Sequence, residues 1–218
     1  MVRLILAGGG DEKQSKVTDE FYLSKLGEEP KILFIPIALK GIKDFNDCYS
    51  WISGIFTNTK IEMLTDFNQE CDLNKYDTVY ISGGNTYNLL EELNNSKFKE
   101  NLVEFAKNNS IVYGGSAGAI ILGKNILTSG DEDHTNLEDY SGINLIDGYS
   151  IWPHYRSEDE EEIKEYISEF DEGIIAIPEE SSLYVEDDQV WAVGEKNVVI
   201  YKNINWVEIL EPNKKTFL

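Results

Sequence analysis

The chain has 218 residues and carries 40 acidic against 19 basic side chains, a formal charge of −21. That length supports one sizeable core, and the charge repels phosphate backbones and leaves no basic stripe, which excludes nucleic acid as a partner. No apolar run approaches the length needed to span a bilayer, and no basic, apolar and cleavable segments follow one another as in a signal peptide, so no membrane attachment is expected.

Residues 4–7 form a short apolar run that reads as a first strand, and the glycines at 8–10 close it. The spacing of a dinucleotide loop is not met there, and Asp11-Glu12 would oppose a pyrophosphate, so this segment is expected to be a plain turn. Further buried strands are predicted at 31–37, 78–82, 111–113 and 174–177. Helical spacing occupies 17–26, 45–56, 86–93, 98–107 and 161–170 between them. Such alternation predicts an α/β fold, a mostly parallel sheet with helices on both faces, in one domain spanning 1–218. From residue 183 the pattern changes to close-spaced strands at 183–185, 189–193, 198–201 and 206–210, with hairpin turns expected at 187–188 and 195–197. These C-terminal antiparallel strands are apolar enough to pair between subunits, which leaves a homodimer open. Cys48 and Cys71 have no paired spacing with each other or with histidine. Neither a disulfide, a metal site nor any cofactor is expected, and a reducing cytoplasm fits best.

The segment Tyr113-Gly114-Gly115-Ser116-Ala117-Gly118-Ala119 carries the chemistry. An apolar strand enters a serine flanked by small residues, and an apolar helix-forming run leaves it. A nucleophilic serine at such a turn needs a tight backbone and neighbours that let substrate approach. A second strand-to-helix turn, Ser82-Gly83-Gly84-Asn85-Thr86, offers glycine amides to a developing oxyanion. The expected donors are the N–H groups of Gly84 and Ala117.

A serine requires a base, and only two histidines exist. His134 lies in a polar, acidic stretch, whereas His154 lies in Ile151-Trp152-Pro153-His154-Tyr155, where apolar flanks and a proline hold a ring in place. His154 is therefore the expected base. The orienting acid stays open among Asp131, Glu132 and Asp133. Asn85 and Arg156 are the candidate substrate-binding residues.

Three stretches in order, the Ser82–Thr86 turn with Leu89-Leu90 behind it, the Gly-x-Ser-Ala-Gly-Ala elbow, and Leu145-Ile146-Asp147 ahead of Pro153-His154-Tyr155, resemble the peptidase E and cyanophycinase-like serine peptidases. The resemblance runs from the first strand to Pro178. It implies an architecture similar to the class I glutamine amidotransferases, with serine in place of cysteine, and hydrolysis of short peptides through an acyl-enzyme. It also implies Ser116 as nucleophile, His154 as base, the Gly84 and Ala117 amides as oxyanion hole, and Asp131 as the acid by the peptidase E branch. The cyanophycinase branch has a glutamate in this general region, which keeps Glu132 in view. One departure stands out: where peptidase E presents an arginine-rich segment to an aspartyl substrate, this chain has Ser157-Glu158-Asp159-Glu160-Glu161-Glu162, with Arg156 as the nearby cation. Strict cleavage after aspartate is therefore not expected. An α/β-hydrolase-type esterase shares the serine pattern, but His154 follows Ser116 too early for that fold. A catalytically silent binder on the same fold is the other alternative.

Overall fold

The computed structural model describes residues 2–108 and 110–218. The first half alternates strand and helix: β1 (Arg3–Ala7), α1 (Glu12–Ser24), β2 (Lys31–Ile35), α2 (Phe45–Ile55), β3 (Lys60–Met63), β4 (Thr78–Ile81), α3 (Thr86–Asn94), α4 (Phe98–Lys107), β5 (Ile111–Gly115) and α5 (Ala117–Leu122). The second half holds β6 (Tyr149–Trp152), α6 (Glu160–Phe170), β7 (Gly173–Ala176), β8 (Ser181–Glu186), β9 (Gln189–Gly194), β10 (Val198–Asn203), β11 (Trp206–Leu210) and β12 (Lys215–Phe217).

An eight-stranded sheet runs β12-β9-β8-β1-β5-β4-β2-β3. Its strands from β1 to β3 are mutually parallel, and β8, β9 and β12 extend it in antiparallel fashion. Successive residues of a strand point to opposite faces, so each apolar run feeds two cores. Leu4, Leu6, Leu33 and Ile35 pack with Leu89, Leu102 and Phe105 of α3 and α4, while Ile5, Ile32 and Phe34 pack with Tyr22 of α1 and Ile52 of α2. The α/β class, with helices on both faces and antiparallel strands at the C-terminal end, is thus as the sequence implied. Among the described residues, no helix is long and apolar enough to cross a membrane.

Two expectations fail in pairing. Strand β7 belongs to a second, four-stranded sheet, β11-β10-β7-β6, and not to the large one. The segment 195–197 is not a hairpin turn, because β9 pairs with β8 and β12 whereas β10 pairs with β7 and β11. An apolar run buried on both faces carries the same signature in either sheet, and the choice of partner is made by long-range packing. Helix α1 also starts earlier than its apolar spacing suggested, since Asp11 caps it and residues 12 and 13 are exposed.

Tyr80 and Tyr113 stand opposite one another on β4 and β5, and their rings stack with centroids 4.1 Å apart. Beside them Asp19, only 6% exposed, accepts hydrogen bonds from Ser15 Oγ (2.7 Å) and the Tyr113 hydroxyl (3.4 Å). Burial pushes the Asp19 carboxyl up to about 6, against the opposing pull of those two bonds. Between the unfolded value of about 3.9 and that raised value, the folded protein keeps a proton the unfolded chain has lost. Stability therefore falls as pH rises through this window and levels off above it. Asp19→Asn is expected to stabilise the protein by about 1–2 kcal/mol at pH 8 and to gain little near pH 4, measured by urea unfolding at both values.

Candidate active site

Ser116 sits between β5 and α5 with φ 48° and ψ −110°, a strained backbone for a residue with a side chain. Two features hold it there: its N–H donates to Ala7 O (3.0 Å), and α5 lies so close to β4 that a Cβ at Gly118 would be 2.4 Å from Ile81 O. The elbow therefore depends on small residues at the places the sequence supplies them.

His154 and Glu179 arrive together from the second sheet. Strands β6 and β7 are parallel neighbours with Trp152 opposite Ala176. His154 follows the end of β6 by two residues, and Glu179 follows the end of β7 by three. Ile177 N donates to Trp152 O (2.8 Å) and Tyr155 N to Ile177 O (3.1 Å), so the two strand exits stay in step. Ser116 Oγ lies 2.7 Å from His154 Nε2, and His154 Nδ1 lies 2.9 Å from Glu179 Oε1. The bond to His154 holds the Glu179 carboxyl below its usual value, outweighing burial, which acts in the opposite direction. An ionised Glu179 accepts from Nδ1–H, leaving Nε2 bare to accept the Ser116 hydroxyl proton.

The loop 8–10 completes this corner. Gly8 O accepts from His154 N (2.9 Å), and Gly8 N donates to Ser181 O (3.0 Å). A Cβ on Gly9 would lie 2.3 Å from His154 Cε1, so the imidazole rests directly against bare backbone.

Asp131 does not reach His154 by a hydrogen bond. Its Oδ2 accepts from Thr86 N (2.8 Å), Thr86 Oγ1 (2.7 Å) and Ser129 Oγ (2.8 Å), which makes it a cap on α3. The loop carrying it is pinned to β6 by Thr128 Oγ1 donating to Ile151 O (2.6 Å), and Glu179 already occupies the second imidazole nitrogen. Glu132 and Asp133 point elsewhere: the Glu132 carboxylate is 3.1 Å from the His134 ring, and Asp133 accepts from Thr135 and Tyr140. Asn85 is committed to the scaffold, its Oδ1 accepting from Asn88 N (2.9 Å) and its Nδ2 donating to Glu132 O (2.9 Å). The sequence signal for Glu179 lay in Ile177-Pro178-Glu179, the exit of an apolar strand, where open α/β sheets place ligand-binding residues.

Two hollows flank the serine. The smaller, about 380 Å³, is lined by Trp51, Tyr80, Gly84 and Tyr113 together with Ser116 and His154. Gly84, at φ +139°, packs against the Ala38 carbonyl, and no acceptor among the described residues takes its N–H. Ala117 N–H belongs to the first turn of α5, which has no acceptor within the helix. The larger cleft, about 590 Å³, opens over Trp152, Tyr166 and Phe170, and its lining holds Asp131, Asp159, Glu162, Glu165 and Glu169 against Arg156.

An uncharacterized peptidase, Lmo0363, of Listeria monocytogenes serovar 1/2a is 36% identical over 99 residues, which cover 44% of this chain and 48% of that protein. Peptidase E of Streptomyces coelicolor is 26% identical over 140 residues, 60% of this chain and 57% of that one. The chain thus aligns with about half the length of these relatives. A solved peptidase from an acI-B1 actinobacterium covers 100% of the chain and 97% of its own, with TM-score 0.74 and 20% identity, a likeness of fold. The model of peptidase family S51 matches residues 4–193, and the chain belongs to that family.

Proposed function

We propose that this chain is a serine peptidase that hydrolyses short peptides through an acyl-enzyme, without strict aspartyl specificity. The observation that carries the reading is the unbroken hydrogen-bonded line from Ser116 Oγ through His154 to Glu179. In this reading Ser116 attacks the scissile carbonyl while His154 Nε2 takes its proton, and Glu179 holds the imidazole in the tautomer that leaves Nε2 free. The Gly84 and Ala117 amides stabilise the oxyanion, and His154 returns the proton to the leaving amine. Water activated by the same imidazole then releases the acid.

The cleft supports the specificity. An aspartyl side chain entering it meets carboxylates at 131, 159, 162, 165 and 169, with the Arg156 guanidinium as the one cation among the described lining residues. Repulsion of this kind disfavours acidic substrates, while the Trp152 and Phe170 rings suit the apolar stem of a neutral or basic one.

A fluorophosphonate probe should label the wild-type protein at Ser116, and labelling should vanish in a folded Ser116→Ala variant. In a dipeptide and tripeptide library, Asp-Xaa peptides should be cleaved at least about tenfold more slowly than their Lys, Arg or neutral counterparts. Absence of labelling in well-folded wild-type protein would sink the catalytic reading, and selective hydrolysis of Asp-Xaa peptides would sink the specificity alone.

A further inference from the structure

Helix α1 opens on a reciprocal cap. Asp11 Oδ1 accepts from Lys13 N (2.9 Å) and Gln14 N (3.0 Å), and Asp11 N donates to Gln14 Oε1 (2.9 Å). For that exchange position 14 needs only an oxygen, and glutamate serves it as well as glutamine. The other end of the Gln14 amide is not used by the helix. Its Nε2 donates to Glu179 Oε2 at 2.8 Å, across 165 residues of sequence. Only this orientation of the amide satisfies both a backbone donor and a carboxylate acceptor.

Glu179 is thereby held at both oxygens, Oε1 by His154 and Oε2 by Gln14. Gly10 leaves the necessary slot: a Cβ there would lie 3.1 Å from Gln14 Cβ and 3.2 Å from Glu179 Cβ. We propose that Gln14 is a positioning residue of the reaction, its carboxamide fixing the Glu179 carboxylate so that it faces His154. The inference rests on the reading of Ser116, His154 and Glu179 given above. Gln14 touches no reacting atom and acts through Glu179. The other charged groups facing this corner are His154, Asp11 (whose carboxylate is spent on the helix cap) and Glu180, which is paired with Lys196 Nζ at 2.9 Å and is held below its usual carboxylate range first by that lysine and in smaller part by the Gln14 side chain.

The decisive variant is Gln14→Glu in the full chain, because it keeps the oxygen that the helix cap requires and replaces the donor facing Glu179 with a second carboxylate. Measured as the rate of fluorophosphonate labelling against pH, Gln14→Glu should react about tenfold or more slowly than wild type, with its melting temperature nearly retained. Its acid limb should move to higher pH, since the added negative charge favours the protonated imidazole. Gln14→Leu should lose rate as well, without that upward movement of the limb. A wild-type rate and limb in Gln14→Glu, alongside an inactive Glu179→Ala, would overturn the role of Gln14. A slow Gln14→Leu whose loss follows its melting temperature, with Gln14→Glu unaffected, would overturn it too. Full labelling of Glu179→Ala would instead remove the reading on which the inference rests.

Discussion

Glu179→Ala is expected to lower peptide turnover by about 10³- to 10⁴-fold while leaving the protein folded, the loss typical of removing the acid from a serine triad. Without the carboxylate 2.9 Å from Nδ1, nothing selects the tautomer that leaves Nε2 free, and the imidazolium formed in the transition state loses its counter-charge. Asp131→Ala should behave in the opposite way. Its carboxylate satisfies Thr86 N and Thr86 Oγ1 at the start of α3, so its removal should cost about 1 kcal/mol of stability, as loss of a helix cap does, and leave serine labelling within a few fold of wild type. Steady-state turnover and urea melts on the two variants decide between the acids. Comparable loss of turnover in Asp131→Ala, with Glu179→Ala fully active, would reverse the assignment.

Much of this architecture could be read from the sequence, because its signals are local. The apolar runs of β1, β2, β4 and β5 are buried on both faces, and the glycines at 83–84 and 114–115 mark the carboxyl ends of β4 and β5. Ser116 and His154 were legible because a serine between small residues and a histidine behind a proline are locally unusual. Glu179 was not singled out, since it is one of 40 acidic residues and its place at a strand exit points to His154 only once β6 pairs in parallel with β7. Asp131 drew attention through the resemblance to the peptidase E branch, yet its loop is pinned to β6 and its carboxylate is taken up at the start of α3, with no hydrogen bond to the imidazole. The exposed edge strands β3 and β12 left no apolar pattern to find, and the partner exchange between β9 and β10 is a long-range choice that no local window records. The turn at 8–10 read as a plain glycine turn, and its service as a shelf for an imidazole becomes visible only when residues 9 and 154 are seen in contact.

That contact sets the second large effect, expected in Gly9→Ala. The added methyl would lie 2.3 Å from His154 Cε1 and 2.9 Å from Nε2, well inside van der Waals contact. Backbone movement offers little relief, because Gly8 is bonded to His154 N on one side and Ser181 O on the other, and a Cβ on Gly8 would lie 2.1 Å from the Pro178 carbonyl oxygen, so little space surrounds it. The ring must therefore move, and a displacement of about 1 Å is enough to break the bonds to both Ser116 and Glu179. Turnover should fall by about 10²- to 10³-fold, with about 1–2 kcal/mol of destabilisation from placing alanine at φ +94°. Gly148→Ala separates strain from collision: Gly148 has φ +89° with nothing within 4 Å of the added carbon, so it should lose similar stability and keep its activity. Equal turnover in Gly9→Ala and Gly148→Ala would show that the imidazole does not depend on the bare backbone beneath it.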